Sequence, residues 1–108
     1  MAVKVLNSEE LREKINSGEK FIVDMYANWC GPCRVLGPIV DRFADKLSTE
    51  GHEVSVYKFD IESDKELSVE LGVRSIPTIK LFSEGEVVQT KNGILQKAQL
   101  LEMANSIL

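Results

Sequence analysis

The hydrophobic positions of the chain switch between a two-residue and a three-to-four-residue period, and each switch marks an element. Val3 to Leu6 form a short apolar start, and Asn7-Ser8-Glu9-Glu10 follows. Asn7 is placed to cap a helix, Glu10 to reach back to it, and Leu6 and Leu11 to close a hydrophobic staple across the cap. Leu11 and Ile15 share one face of that helix, and Gly18 supplies a left-handed C-terminal position. In "FIVDMYA", Phe21 to Ala27, the side chains of Phe21, Val23 and Met25 alternate with those of Ile22, Asp24 and Tyr26. Both faces are largely apolar, so the segment is predicted to be a strand covered on both sides.

Pro32 suits the first turn of a second helix, in which Val35, Leu36, Ile39, Val40, Phe43, Ala44 and Leu47 recur at helical spacing. Pro38 lies inside it and is expected to kink it as a matter of packing. "EVSVYKFDI" predicts another two-sided strand. Ser63 with Glu66 opens a third helix that carries Leu67 and Leu71 and stops at Gly72. "PTIKLFSEGEVVQT" predicts a β-hairpin turning at Glu84-Gly85. The closing "LQKAQLLEMANSIL" predicts a helix with Ala98, Leu101, Ala104, Leu108 and neighbouring apolar residues on its apolar face. The order βαβαβαββα implies an α/β fold, a mixed sheet with helices over both faces.

The chain has 108 residues, 44% hydrophobic and 28% charged, which fits one compact domain over 1–108. Its net charge of -4 and the scatter of Lys and Arg among acids argue against nucleic acid as a ligand. No stretch approaches the roughly 20 apolar residues of a membrane helix, and "MAVKVLNSEELREKINSGEK" lacks the apolar core of a secretory signal. A cytoplasmic location without membrane attachment is therefore expected, and nothing in the sequence demands more than a monomer.

Only two cysteines occur, and "WCGPCR", Trp29 to Arg34, sets them three positions apart. A disulfide that closes so short a loop gains about 2 kcal/mol from loop entropy, against about 5 for a loop of a hundred residues. A structural zinc site takes four ligands, whereas Cys30, Cys33 and His52 are the only Cys and His available, so a metal would need carboxylates or a second chain. His52, in a polar connection, is most simply a solvated loop residue. Redox chemistry suits the spacing better. Cys30 at the helix start and Cys33 one turn later put both sulfurs on one face within reach of a disulfide. The positive helix end favours a thiolate at Cys30 by about 0.3 to 2 kcal/mol, which makes Cys30 the attacking sulfur and Cys33 the resolving one. Asp24 is an acid in an apolar strand, where burial raises its pKa. The alternative is a strand-edge carboxyl satisfied by backbone donors. Lys58 alternates with Val54 and Val56, so its stem faces their layer, yet its ammonium could also snorkel to solvent.

"WCGPC" after a buried strand resembles the thioredoxin family. The likeness extends over nearly the whole chain through Asp24, Pro38, Lys58, "SIPT" at Ser75 to Thr78, Gly85 and Gly93. It implies a three-layer thioredoxin-like fold and a protein disulfide reductase that needs no bound cofactor beyond the Cys30-Cys33 couple. It implies Asp24 as general base for Cys33, with Lys58 nearby, and a cis Ile76-Pro77 bond facing the cysteines. Trp29, Gly31, Pro32, Ser75, Ile76, Pro77, Gly93 and Ile94 would form the docking surface for disulfide-containing client proteins. A thioredoxin reductase using NADPH would restore the dithiol. Pro32 adds no charge to stabilise a thiolate, unlike the His of oxidising relatives, which implies a reducing pair. Glutaredoxins resemble C-P-Y-C instead, so glutathione is the weaker partner.

Four positions depart from the common pattern: Tyr26 for Trp, Asn28 for an acid, Arg34 for Lys and Gly37 for Ala. None removes a group the chemistry needs. Two other readings stay open on sequence alone: a binding or assembly subunit without turnover, and a thiol oxidase or isomerase.

Overall fold

In a computed structural model, which describes residues 3–108, the elements follow the order β1 (Lys4–Leu6), α1 (Ser8–Asn16), β2 (Phe21–Tyr26), α2 (Gly31–Thr49), β3 (Ser55–Asp60), α3 (Lys65–Glu70), β4 (Thr78–Ser83), β5 (Glu86–Asn92) and α4 (Lys97–Asn105). The five strands make one mixed sheet in the order β1-β3-β2-β4-β5. The β1, β3 and β2 strands run parallel, while β4 is antiparallel to both β2 and β5. This is the expected βαβαβαββα order, with the two-sided strand β2 at the centre.

Alternation along β2 divides the core. Ile22 faces a layer with Leu36, Val40 and Phe43 of α2 and Leu100, Met103 and Ala104 of α4. Phe21, Val23 and Met25 face the other layer, with Leu11 of α1 and Leu67 of α3. Phe21 also stacks on Phe82, its partner across β2 and β4, at 4.9 Å between ring centroids. Both faces of β2 are therefore covered, and only a side chain with a specific role belongs there if it is polar.

The α1 cap forms as its sequence requires. The Glu10 amide donates to Asn7 Oδ1 at 2.8 Å and the Asn7 amide donates to Glu10 Oε1 at 2.9 Å, satisfying two otherwise unpaired donors. Asn7→Ala should destabilise the fold by about 1 kcal/mol, read as a lower urea midpoint at an unchanged slope. At the hairpin, Glu84 and Gly85 both take positive φ, 56° and 83°. That is a type I′ turn, whose twist matches the strands it joins.

Three expectations change. The third helix is capped by Asp64, whose Oδ1 accepts from the Leu67 amide at 3.0 Å, while Ser63 Oγ donates back to the Asp60 carbonyl. The true cap stands one residue further on, and Ser63 closes the preceding turn instead. Val35 is exposed, because the buried row of α2 runs through Leu36, Val40, Phe43 and Leu47. In α4 the buried residues are Leu100, Met103 and Ala104, with Leu101 and Ile107 packed beside them; Ala98 and Leu108 face outward. The helical assignment through Pro38 is unbroken from Gly31 to Thr49.

Candidate functional site

The β2 strand ends at Tyr26, and a short turn delivers the chain to Cys30, which caps α2 in an extended conformation. Gly31 and Pro32 fill the first two helical positions. Pro32 has no amide proton to leave unpaired there, and its fixed φ suits a helix start. Cys33 stands one turn in, its amide donating to Cys30 Sγ at 3.2 Å. The two cysteines are joined in a disulfide with Cα atoms 5.2 Å apart. Closing or opening that bond is thus confined to one helical turn.

Residue exposure does not distinguish the two cysteines, since Cys30 is 4% and Cys33 5% exposed. Position does. Cys30 Sγ lies at the positive end of a 19-residue helix and accepts an amide hydrogen bond, both of which favour negative charge. Cys33 instead lines a cavity of about 340 Å³ whose wall also includes Asp24, Tyr26, Gly37, Asp41 and Lys58.

Asp24 is 1% exposed, and its Oδ1 is buried without a hydrogen-bond partner among the described residues. Its carboxyl pKa is pushed up to about 6, chiefly by burial; Lys58 opposes the rise and Asp41 adds to it. The strand-edge alternative for Asp24 is thereby removed, because β2 is central and Oδ1 has no donor among the described residues. Lys58 pairs in register with Asp24 across β2 and β3. Its side chain is 17% exposed and its Nζ lies 3.0 Å from Asp41 Oδ1. The ammonium is therefore held at the cavity and does not snorkel freely to solvent.

On the other side of the disulfide, Ile76 packs against the cluster of Ala27, Cys30 and Cys33, and the Ile76-Pro77 peptide is cis. Gly93, at φ 85°, donates its amide to the Pro77 carbonyl at 3.0 Å, which ties the start of the last connection to this loop. A non-glycine residue would be strained at that φ. Ser75 is exposed and Asn92 Nδ2 donates to its Oγ at 3.3 Å. Trp29 and Ile94 are exposed to 64% and 42% of their full area. Large apolar side chains left open beside a reactive pair are suited to contact with another chain.

Sequence reasoning missed Asp41 and the Asn92-Thr78 contact, in which Asn92 Nδ2 donates to Thr78 Oγ1 at 2.8 Å behind the Ser75 loop. For Asp41 a signal existed: Cys33, Gly37 and Asp41 recur every four residues and share one face of α2. The departures are accommodated. Arg34 Nη1 donates to the Asn28 carbonyl at 3.4 Å, and a methyl added at Gly37 would meet Lys58 Nζ at an ordinary 3.7 Å. His52 is engaged elsewhere, with Nε2 2.9 Å from Asn105 Oδ1 and Nδ1 accepting from the Val54 amide. Among the described residues no group of three or more His, Cys, Asp or Glu is arranged to hold a metal.

The family model described as thioredoxin matches residues 2–106. A thioredoxin of Rickettsia felis is 41% identical over 105 residues, covering 97% of each chain. That of Mycoplasmoides gallisepticum is 35% identical over 99 residues, 92% of this chain and 95% of its own. Among solved structures, a chloroplastic thioredoxin z superposes with a TM-score of 0.84 at 29% identity, over 99% of this chain and 95% of its own. A buried redox disulfide at a helix start, a whole-chain match and this degree of structural likeness lead to one assignment: the chain belongs to the thioredoxin family and is a thiol-disulfide oxidoreductase.

Proposed function

We propose that the chain reduces disulfides of client proteins with Cys30 as nucleophile, Cys33 as resolving thiol and Asp24 as the base that serves Cys33. The observation that carries this division is that Cys33, and not Cys30, lines the cavity with Asp24, while Cys30 holds the helix cap. The Cys30 thiolate attacks one client sulfur, forming a mixed disulfide and releasing the other client sulfur, which takes a proton. Asp24 accepts the Cys33 proton, by way of the cavity, as Cys33 attacks Cys30 Sγ. The Cys30-Cys33 bond forms, the mixed disulfide breaks, and the client leaves with both sulfurs reduced. Two electrons have passed from the pair to the client.

Lys58 tempers the basicity of Asp24 from across the cavity. Trp29, Gly31, Pro32, Ser75, Ile76, Pro77, Gly93 and Ile94 form the client surface in this reading, with the Ile76 backbone pairing to an extended client segment. The reductase partner that the family implies draws its electrons from NADPH. One chain acting as a monomeric unit over 1–108 suffices, since both cysteines and the carboxyl belong to it. A cytoplasmic location fits, because that compartment keeps protein thiols reduced.

The test is coupled turnover: NADPH, a thioredoxin reductase, this chain and a disulfide-bonded protein. NADPH consumption should depend on the chain catalytically, many client disulfides being reduced per chain. Consumption limited to one equivalent of the Cys30-Cys33 couple would contradict the reading. A Cys30→Ser, Cys33→Ser double variant that kept full biological function would favour the binding-subunit alternative.

A further inference from the structure

Asp41 lies on α2 two turns beyond Cys33, its side chain 42% exposed, at the mouth of the cavity that holds Asp24. Its carboxylate contacts Lys58 Nζ at 3.0 Å, while Lys58 stands in register with Asp24 on the neighbouring strand. A single ammonium thus pairs with a carboxylate open to water and lines the same cavity as a buried one. The pair is half open to water through Asp41, where an ion pair adds little to stability, so holding Lys58 for stability alone is a weak account of the contact. Its effect on the buried group is larger, because Asp24 is shielded from water and a charge acts more strongly on a desolvated group than on a solvated one.

We propose that Asp41 is a positioning residue that anchors the Lys58 ammonium at the cavity mouth and so limits how much of its positive charge acts on Asp24. The proposal rests on the reading of Asp24 as base for Cys33. The charged and titratable groups around Asp24 are Lys58 from β3, Asp41, Cys33 and Arg34 from α2, and Tyr26 from its own strand. Of these, Lys58 pulls Asp24 toward ionisation, whereas Asp41 opposes it directly and also by occupying Lys58. Removing the Asp41 charge acts twice in the same direction. Asp24 gives up its proton more readily and becomes a weaker base for Cys33 near neutral pH. The anchor thereby links the outer surface of α2 to the proton step without touching the reacting sulfurs.

The experiment is a pair of pH titrations on Asp41→Asn, with Asp41→Glu as the charge-conserving control. The Asp24 carboxyl is followed by carbon NMR in the oxidised protein, and the resolving step by stopped flow from a preformed mixed disulfide. The NMR midpoint should fall by about half a pH unit or more in Asp41→Asn and return in Asp41→Glu. In a Lys58→Met background the same substitution should move it less, since part of the effect travels through Lys58. An Asp24 midpoint unchanged in Asp41→Asn, or a change as large without Lys58 as with it, overturns the proposal. An NMR midpoint that moves while the pH profile of the resolving step stays fixed upholds the anchoring and removes Asp24 as the base.

Discussion

Cys30→Ser should lower catalysed reduction of a protein disulfide by about three orders of magnitude or more, and Cys33→Ser should arrest the reaction as a stable adduct with the client. The two losses differ in kind because the cysteines hold different places in the structure. At Cys30, the helix cap and the Cys33 amide favour a sulfur anion. A serine hydroxyl in that place ionises far too weakly to attack a disulfide near neutral pH, and oxygen cannot carry the two-electron exchange between sulfurs. Cys33→Ser leaves the attacking thiolate intact, so the mixed disulfide still forms, but nothing in the chain then displaces the client. Mass spectrometry of the intact adduct, before and after an added thiol, separates the cases. A trapped adduct on Cys33→Ser and none on Cys30→Ser is expected; the reverse pattern would exchange the roles.

Asp24→Asn should stabilise the oxidised protein by about 3 kcal/mol above roughly pH 7 while slowing the resolving step. The native carboxyl has its pKa raised from 3.8 to about 6 by burial, so between those values the folded state binds more protons than the unfolded state. Stability therefore falls as pH rises through this window, by about 1.4 kcal/mol per pH unit. At low pH both proteins carry a neutral side chain, and the gap closes below about pH 4. Asn cannot ionise, so the variant escapes the loss, but it also cannot take the Cys33 proton. Urea unfolding across pH, with the disulfide intact, should show a gap that opens with rising pH. A gap independent of pH would mean that Asp24 titrates alike in the folded and unfolded chains, so that burial does not raise its pKa.

Why so much of this is legible in the sequence, and what is not, follows from the range of each signal. The Asn7-Glu10 cap, the two-sided β2 and the Cys30-Cys33 turn are local, and residues within one or two turns determine them. Asp24 stands out because an acid among Phe21, Ile22, Val23 and Met25 contradicts the pattern around it. The anchoring of Lys58 by Asp41 and the Asn92 contacts with Ser75 and Thr78 join segments far apart in the chain. Periodicity fixes that a face exists but not its partner. The apolar residues in the final fourteen positions are dense enough to support more than one helical face. Packing against α2 selects the one with Leu100, Met103 and Ala104, and leaves Ala98 outside. Val35 misleads for a related reason: it is apolar and its spacing suits the core, although it lies on the exposed side of α2.

The central claim, a pair that gives electrons to client disulfides, is tested most directly by the equilibrium reduction potential of the Cys30-Cys33 couple. It is measured by titration against a thiol buffer, with free thiols counted at each point. Pro32 between the cysteines supplies no charge to hold the dithiol form, so a reducing couple is expected. The expected value is about -270 mV, the figure that belongs to thioredoxin itself. A potential above about -180 mV would instead make the chain an oxidase or isomerase and contradict the account.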